Sequence, residues 1–300
     1  PNGGTFASAS GYTDKANVNF ASNVDLDASH RWGVKAGWTF VGWNRNKDAT
    51  TADTAFTMGS NAVTLYAIYS KTLVLNAFSG INKATHKTYS VTVYNTATTV
   101  TFTGIVNPTN VYNVGKWDAC GWRLDTTADV AETGLEQGPG AGAIRHTFDI
   151  ADATANGEYN LYAVYSRQLN YSFKKNYNDT ASSRAILRAP EVGGSGTNHF
   201  IARIQYYNTN GAITTPEITL YGDIFTRTGY TLGGWSDTEG ENNTLDYALE
   251  AQYNGFCPAV EDNNTAKKFY AHWVVNGYTL TLINGSTAGI TAITATAEGA

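Results

Sequence analysis

The residues able to do chemistry are thinly spread. Five histidines stand at His30, His86, His146, His199 and His272, none paired at a spacing that presents two ligands to zinc. Ser195 lies in Gly193-Gly194-Ser195-Gly196 but lacks the full glycine spacing of a nucleophile elbow, so the stretch reads as a linker. Asp237, Glu239, Glu241 and Asn243 crowd oxygens into one turn. Calcium takes six or more oxygens, and their order departs from the EF-hand loop, so a solvated hairpin turn is the better reading. The glycines of Gly138-Pro139-Gly140-Ala141-Gly142-Ala143 miss the dinucleotide-binding spacing and lack a strand-then-helix setting. Cys120 and Cys257 fall in different parts of the chain, and nothing in the sequence says that they meet. These residues point to no catalytic group, metal or cofactor, and the expectation is a protein that is not an enzyme.

The totals agree with that expectation. Charged residues make up 15% of the chain, against roughly 25% in ordinary soluble domains. Thr, Asn, Ser, Ala and Gly take their place, as in many extracellular β proteins. A net charge of -5 supplies no field to gather phosphate, so nucleic acid is not an expected partner. No apolar run reaches the ~18 residues of a membrane span. Pro1 is not what a start codon supplies, so a processed or cropped chain is expected, with any export signal or wall anchor outside it.

The elements that must position everything else are aromatic and recur three times. Gly37-Trp38-Thr39-Phe40-Val41-Gly42-Trp43 is closed by Leu65-Tyr66-Ala67-Ile68-Tyr69. Lys116-Trp117-Asp118-Ala119-Cys120-Gly121-Trp122 is closed by Leu161-Tyr162-Ala163-Val164-Tyr165. Gly229-Tyr230-Thr231-Leu232-Gly233-Gly234-Trp235 is closed by Phe269-Tyr270-Ala271-His272-Trp273. A recurring unit of this kind predicts an array of small modules. Trp38, Trp43 and Tyr66 are the expected core of the first, Trp117, Trp122 and Tyr162 of the second, and Tyr230, Trp235, Tyr270 and Trp273 of the third. A large aromatic buries about 150–250 Å², and so small a module has little other core volume. The glycine before Trp43, Trp122 and Trp235 predicts a backbone or ring lying close against the strand.

The expected fold is all-β, in three tandem modules forming an elongated array: 1–71, 72–167 and 168–275, with a tail strand over 276–300. Short strands are expected around Val18–Phe20 and Val24–Leu26. Module two opens at Leu73-Val74-Leu75, which is expected to pair with Tyr89–Val93 and Val100–Phe102. Module three opens at Leu169–Phe173 and carries a strand over Phe200–Tyr207. After Trp273 the pattern restarts, since Tyr278-Thr279-Leu280-Thr281-Leu282-Ile283 alternates as a strand and Asn284-Gly285-Ser286-Thr287 turns, much as Asn2-Gly3-Gly4-Thr5 does.

The Asn-Gly-Gly-Thr turn, the Gly-aromatic-Thr-Phe-x-Gly-Trp strand and the Leu-Tyr-Ala-x-aromatic closer together resemble the Listeria–Bacteroides repeat, the B-repeat of internalin-type bacterial surface proteins. Module one fits best. Module two departs most, with Lys116 where the first glycine belongs. The resemblance implies β-grasp-like modules strung along secreted, wall-attached bacterial proteins, and it implies no catalytic residues.

Two functional expectations follow. In one, the chain is a structural subunit or stalk of a bacterial cell-surface filament whose partners are copies of itself. A strand including Tyr278, Leu280, Leu282 and Ile283 would then be donated into module one of the next copy, head to tail. In the other, it is a stretch of a longer tandem-repeat adhesin that binds a host protein or glycan.

Overall fold

The computed structural model describes residues 3–6, 19, 21–26, 33–124, 144–177, 193–195, 198–222 and 224–278. In chain order the strands are β1 (Thr5–Phe6), β2 (Asn23–Asp25), β3 (Gly33–Val34), β4 (Thr39–Asn44), β5 (Ala55–Thr57), β6 (Tyr66–Ser79), β7 (Thr85–Tyr94), β8 (Thr99–Ile105) and β9 (Asp118–Leu124). They continue as β10 (Ile144–Asp149), β11 (Glu158–Lys174), β12 (Gly193–Ser195), β13 (Asn198–Asn208), β14 (Ile218–Thr219), β15 (Tyr230–Ser236), β16 (Gln252–Tyr253) and β17 (Ala266–Val275). With 52% strand and 3% helix the protein is all-β. Its helical residues among those described are 3-10 turns such as Ile81–Lys83 and Ile150–Asp152. No helix of the described residues is long and apolar enough to cross a membrane.

The chain divides into two compact units. One comprises Pro1–Asn170, Ala202–Ile218 and Tyr253–Lys267, the other Tyr171–Ile201, Thr219–Gln252 and Lys268–Ala300.

In the first unit the long strand β6 serves two neighbourhoods in turn. Its first residues pair antiparallel with β4, from Asn44↔Tyr66 to Thr39↔Ser70. Its remainder pairs antiparallel with β7 and, over Val74–Phe78, parallel with the start of β11. β11 then pairs antiparallel with β9, giving a sheet order β7-β6-β11-β9. The cause is an unbroken two-residue rhythm: Ala67, Tyr69, Leu73, Leu75 and Ala77 all turn one buried face inward along β6. β11 does the same from Tyr159 to Asn170 and beyond, through Leu161, Ala163, Tyr165 and Leu169.

The expected pairing of Leu73–Leu75 with Tyr89–Val93 is present in β6–β7. Val100–Phe102 instead pairs with β10, at Val100↔Phe148 and Phe102↔His146. The chain leaves the sheet after β7 because Asn95 takes a left-handed turn (φ 56°). The β8–β10 ribbon then contributes Val100, Phe102, Ile105, Ile144 and Phe148 to a core shared with Leu73, Leu75, Trp117, Trp122, Tyr159 and Leu161. A second apolar cluster holds Leu26, Trp43, Ala67 and Tyr69, flanked by Val24, Trp38, Phe40 and Phe56.

In the second unit β15 pairs antiparallel with β17. Its core sets Phe173 4.8 Å from Trp235 edge-on and 5.5 Å from Phe269 in a stack, with Phe225 6.0 Å from Trp235. Gly193–Ser195, expected as a linker, is strand β12 paired with Asn198–Phe200. Of the expected short strands, Val24 lies in β2, which pairs with β5, while Val18 and Phe20 lie outside the described residues.

Candidate functional site

The three Gly-Trp strands occupy hairpins of one register. Trp43, Trp122 and Trp235 face Ala67, Ala163 and Ala271 across the strand pair. One residue earlier, Gly42, Gly121 and Gly234 face Ile68, Val164 and His272. Each strand then carries one extra residue, at Val41, Cys120 and Gly233, where the register shifts. This is a β-bulge, and the residue after it must take a backbone angle that L-residues avoid. The glycines have φ of 151°, 151° and 157°. A Cβ on Gly234 would sit 2.3 Å from the Tyr247 carbonyl oxygen, and one on Gly42 2.4 Å from the Ala52 Cβ. The bulge turns the following tryptophan inward.

Trp43, Trp117, Trp122, Tyr162, Trp235 and Trp273 are buried, while Trp38, Tyr66, Tyr230 and Tyr270 are half-buried. Of the expected assembly strand only Tyr278 is described, and it is exposed; Leu280, Leu282 and Ile283 lie outside the described residues.

Two of the half-buried aromatics, Trp38 and Tyr230, have cations on their faces. Lys35 Nζ lies 3.8 Å from the Trp38 ring centre, and the Arg227 guanidinium 3.8 Å from that of Tyr230. Each cation is three residues upstream of its ring. The buried Trp117 has Arg167 over it at 4.2 Å instead. Arg167 is 2% exposed and spends all its donors. Nε donates to Gln205 Oε1 (2.8 Å), one terminal nitrogen to Gly115 O (3.0 Å) and Asp262 O (2.7 Å), and the other to Pro258 O (2.8 Å) and Ala259 O (3.0 Å). A guanidinium has five N–H bonds, and five acceptors meet it. Burial pulls its pKa below the ordinary value, while the nearby Asp262 charge pushes it back up. Trp117 Nε1 donates to Val260 O (2.7 Å) and Gly115 N to Asn263 Oδ1 (2.9 Å). The segment 258–263 is thereby clasped to residues far behind it in sequence. Because the clasp's acceptors are mostly carbonyls, it has no side-chain signature.

The loops after Trp43 and Trp235 also close alike. Asp53 N donates to Trp43 O (2.8 Å) and Asp246 N to Trp235 O (3.0 Å). The residue after each of these two tryptophans binds the same aspartate: Asn44 Nδ2 to Asp53 Oδ1 (3.2 Å), Ser236 Oγ to Asp246 Oδ2 (2.9 Å). Several residues of the acidic turn make bonds of the same kind. Tyr247 donates its hydroxyl to Asp237, Arg227 pairs with Glu241 at 3.2 Å, and Asn243 Nδ2 reaches Thr238 O and Ala271 O. The Asp237 backbone N–H, with Thr244 and Ser236, holds the Asp246 carboxyl below its ordinary pKa.

Among the described residues no three His, Cys, Asp or Glu side chains gather to hold a metal ion. Cys120 is buried at its bulge, with Sγ 3.2 Å from Ser166 Oγ; Cys257 is exposed, and the two form no disulfide with each other. A scan against protein-family models finds no matching family, and a search of curated proteins finds no match.

Proposed function

We propose that this chain is a structural, non-catalytic component of a bacterial extracellular or cell-surface array, built of β-grasp-like modules that share strands. The observation that carries this reading is one hydrogen bond made twice. Val74 N donates to Gly157 O (3.0 Å) and Asn170 N to Thr265 O (2.8 Å). Val74 and Asn170 hold the same place after the closers Leu65–Tyr69 and Leu161–Tyr165, and Gly157 and Thr265 the same place before the next closers. The first two closing strands thus run on, within β6 and β11, as what we take for the opening strands of the next modules, without a linker. The parallel pairing of β6 with β11 beside two antiparallel neighbours further supports the β-grasp-like reading. Strands passed from module to module suit a protein that bears tension, because the load runs along continuous backbone and its ladders.

β17 ends at Val275, and we assign to the segment of Tyr278, Leu280, Leu282 and Ile283 beyond it the opening of a further module. Val274, Val275 and Tyr278 are exposed at that end. We assign the following module to a second copy, so that copies join head to tail by strand addition. Electron microscopy and mass photometry across a concentration series test this. Rows of end-joined copies that disappear on deletion of residues 277–300 are the expected result. A monomer at every concentration, with or without that segment, would overturn the assembly.

A further inference from the structure

The dipeptide Asn-Gly is chemically fragile. The glycine nitrogen can attack the side-chain amide carbon before it, and a glycine has no side chain to stand in the way. The pair occurs at Asn2, Asn156, Asn210, Asn254, Asn276 and Asn284. Asn2 and Asn284 lie outside the described residues. At two of the others the glycine nitrogen is tied. Gly157 N donates to Thr154 O (2.8 Å), while its carbonyl accepts from Val74 N (3.0 Å). Gly211 N donates to Asn208 O (2.8 Å). Asn210 is held as well, its N–H on Asn208 Oδ1 (3.0 Å) and its own Oδ1 accepting from Ala212 N (3.2 Å). At the fourth, the Tyr253 ring crowds Gly255, where a Cβ would meet it at 3.0 Å.

Asn276 stands differently. It follows the end of β17, and Gly277 beyond it is exposed, with nothing within 4 Å of the place a Cβ would take. Among the described residues nothing accepts from the Gly277 N–H. The backbone N–H of Asn276 donates to Gly229 O (2.9 Å), which keeps its main chain at the sheet. Its Oδ1 accepts from the Thr231 hydroxyl of β15 at 2.6 Å. That oxygen is where negative charge gathers when the amide carbon is attacked, and a donor already in place there favours the attack. The nitrogen needs no approach, because chain connectivity keeps it one small ring away.

We infer that Asn276-Gly277 is a self-modification site, where the folded chain converts its asparagine to aspartate and isoaspartate. Gly277 N gives its proton to hydroxide and bonds to Asn276 Cγ. The bond from Cγ to Nδ2 breaks, and that nitrogen leaves as ammonia after taking a proton from water. Water then opens the succinimide ring at either carbonyl. One opening gives aspartate; the other routes the main chain through the former side chain as isoaspartate. Nothing is oxidised or reduced. The residue gains a negative charge, and the isoaspartate form lengthens the main chain between β17 and Tyr278 by a methylene. The inference stands apart from the assembly proposed above, since the chemistry is internal to one chain.

The test incubates the whole chain at mildly alkaline pH, folded and in guanidinium chloride, and follows each Asn-Gly pair by peptide-mapping mass spectrometry. Folding should slow Asn156 and Asn210 about ten-fold or more against the unfolded chain, because their turns must open first. Asn276 should convert at least as fast folded as unfolded. It should yield aspartate and isoaspartate together, the mark of the ring. Thr231→Val, at an exposed position, should slow Asn276 about five-fold, and Thr231→Ser should keep the parent rate. Asn254 in the same samples is the internal standard, and neither variant should move it. Protection of Asn276 equal to that of Asn156, aspartate without isoaspartate, or a Thr231→Val rate equal to or above the parent's would overturn the inference.

Discussion

The turns leading into the first and third hairpins are built alike, and the second is not. Trp38 N donates to Lys35 O at 3.0 Å and Tyr230 N to Arg227 O at 3.2 Å, each across a left-handed glycine, Gly37 or Gly229. In both, the cation at the start of the turn folds onto the ring at its end. In the second hairpin Val114 holds that place, Trp117 N donates instead to Val111 O (2.7 Å), and Trp117 is fully buried. A cation still covers its ring, but it comes from Arg167 on β11. On the outer turn the Lys35 ammonium donates to Asn95 O, and burial lowers its pKa from the ordinary value. Inside a core, the planar five-donor fork of arginine can be satisfied by fixed carbonyls where an ammonium would leave some unmet. What the hairpins hold in common is a cation on the aromatic ahead of the bulge, from the preceding turn in the first and third and from β11 in the second.

The comparison breaks first at Arg167. Arg167→Ala leaves four carbonyls and Gln205 without their donor and should cost about 3–4 kcal/mol in urea unfolding. Lys35→Ala removes a half-exposed stack and should cost about 1 kcal/mol or less. Equal losses would mean that burial is not what separates the two arrangements. Limited proteolysis of the Arg167 variant should also cut first within 258–263, the segment that the clasp holds.

A smaller effect sharpens the comparison at its other difference. Lys116 keeps the left-handed angle of the glycines it replaces, φ 57° against 71° at Gly37 and 80° at Gly229. Lys116→Gly relieves that strain and should stabilise the protein by about 0.5–1 kcal/mol, read as a raised midpoint of thermal unfolding. A loss of stability would show that the lysine side chain contributes more than its backbone costs.

Much of this architecture was legible in residue order, for reasons that also mark where legibility stopped. The Gly-Trp strands and their closers stand out because a bulge needs glycine and the residue after it is a large core aromatic. That β6 and β11 each run on as one long strand did not stand out. Ser70-Lys71-Thr72 and Ser166-Arg167-Gln168 look like polar breaks, yet the inward face keeps its parity through both. Lys35 and Arg227, three residues ahead of their rings, were a readable signal that the aromatic pattern overshadowed. Arg167 had none, because backbone carbonyls some 50 to 95 residues away leave no trace in residue type. The pairing of β8 was misplaced because alternation gives a strand its faces but not its neighbour.

The smallest expected effect lies in the loops that follow the tryptophans. Asp246 accepts from Asp237 N, Ser236 Oγ and Thr244 Oγ1, and these bonds favour its charged form. Its pKa in the folded chain is therefore depressed below the ordinary 3.8. A depressed carboxyl contributes stability that is complete above its unfolded value and is lost as pH falls through the folded one. Asp246→Asn should accordingly be less stable than the parent near neutral pH, and the gap should close as the medium is acidified below 3.8. Urea unfolding of the two proteins across that range measures it. A gap that stays constant would assign the aspartate's role to shape alone, and a gap that widens in acid would contradict the sign of the shift.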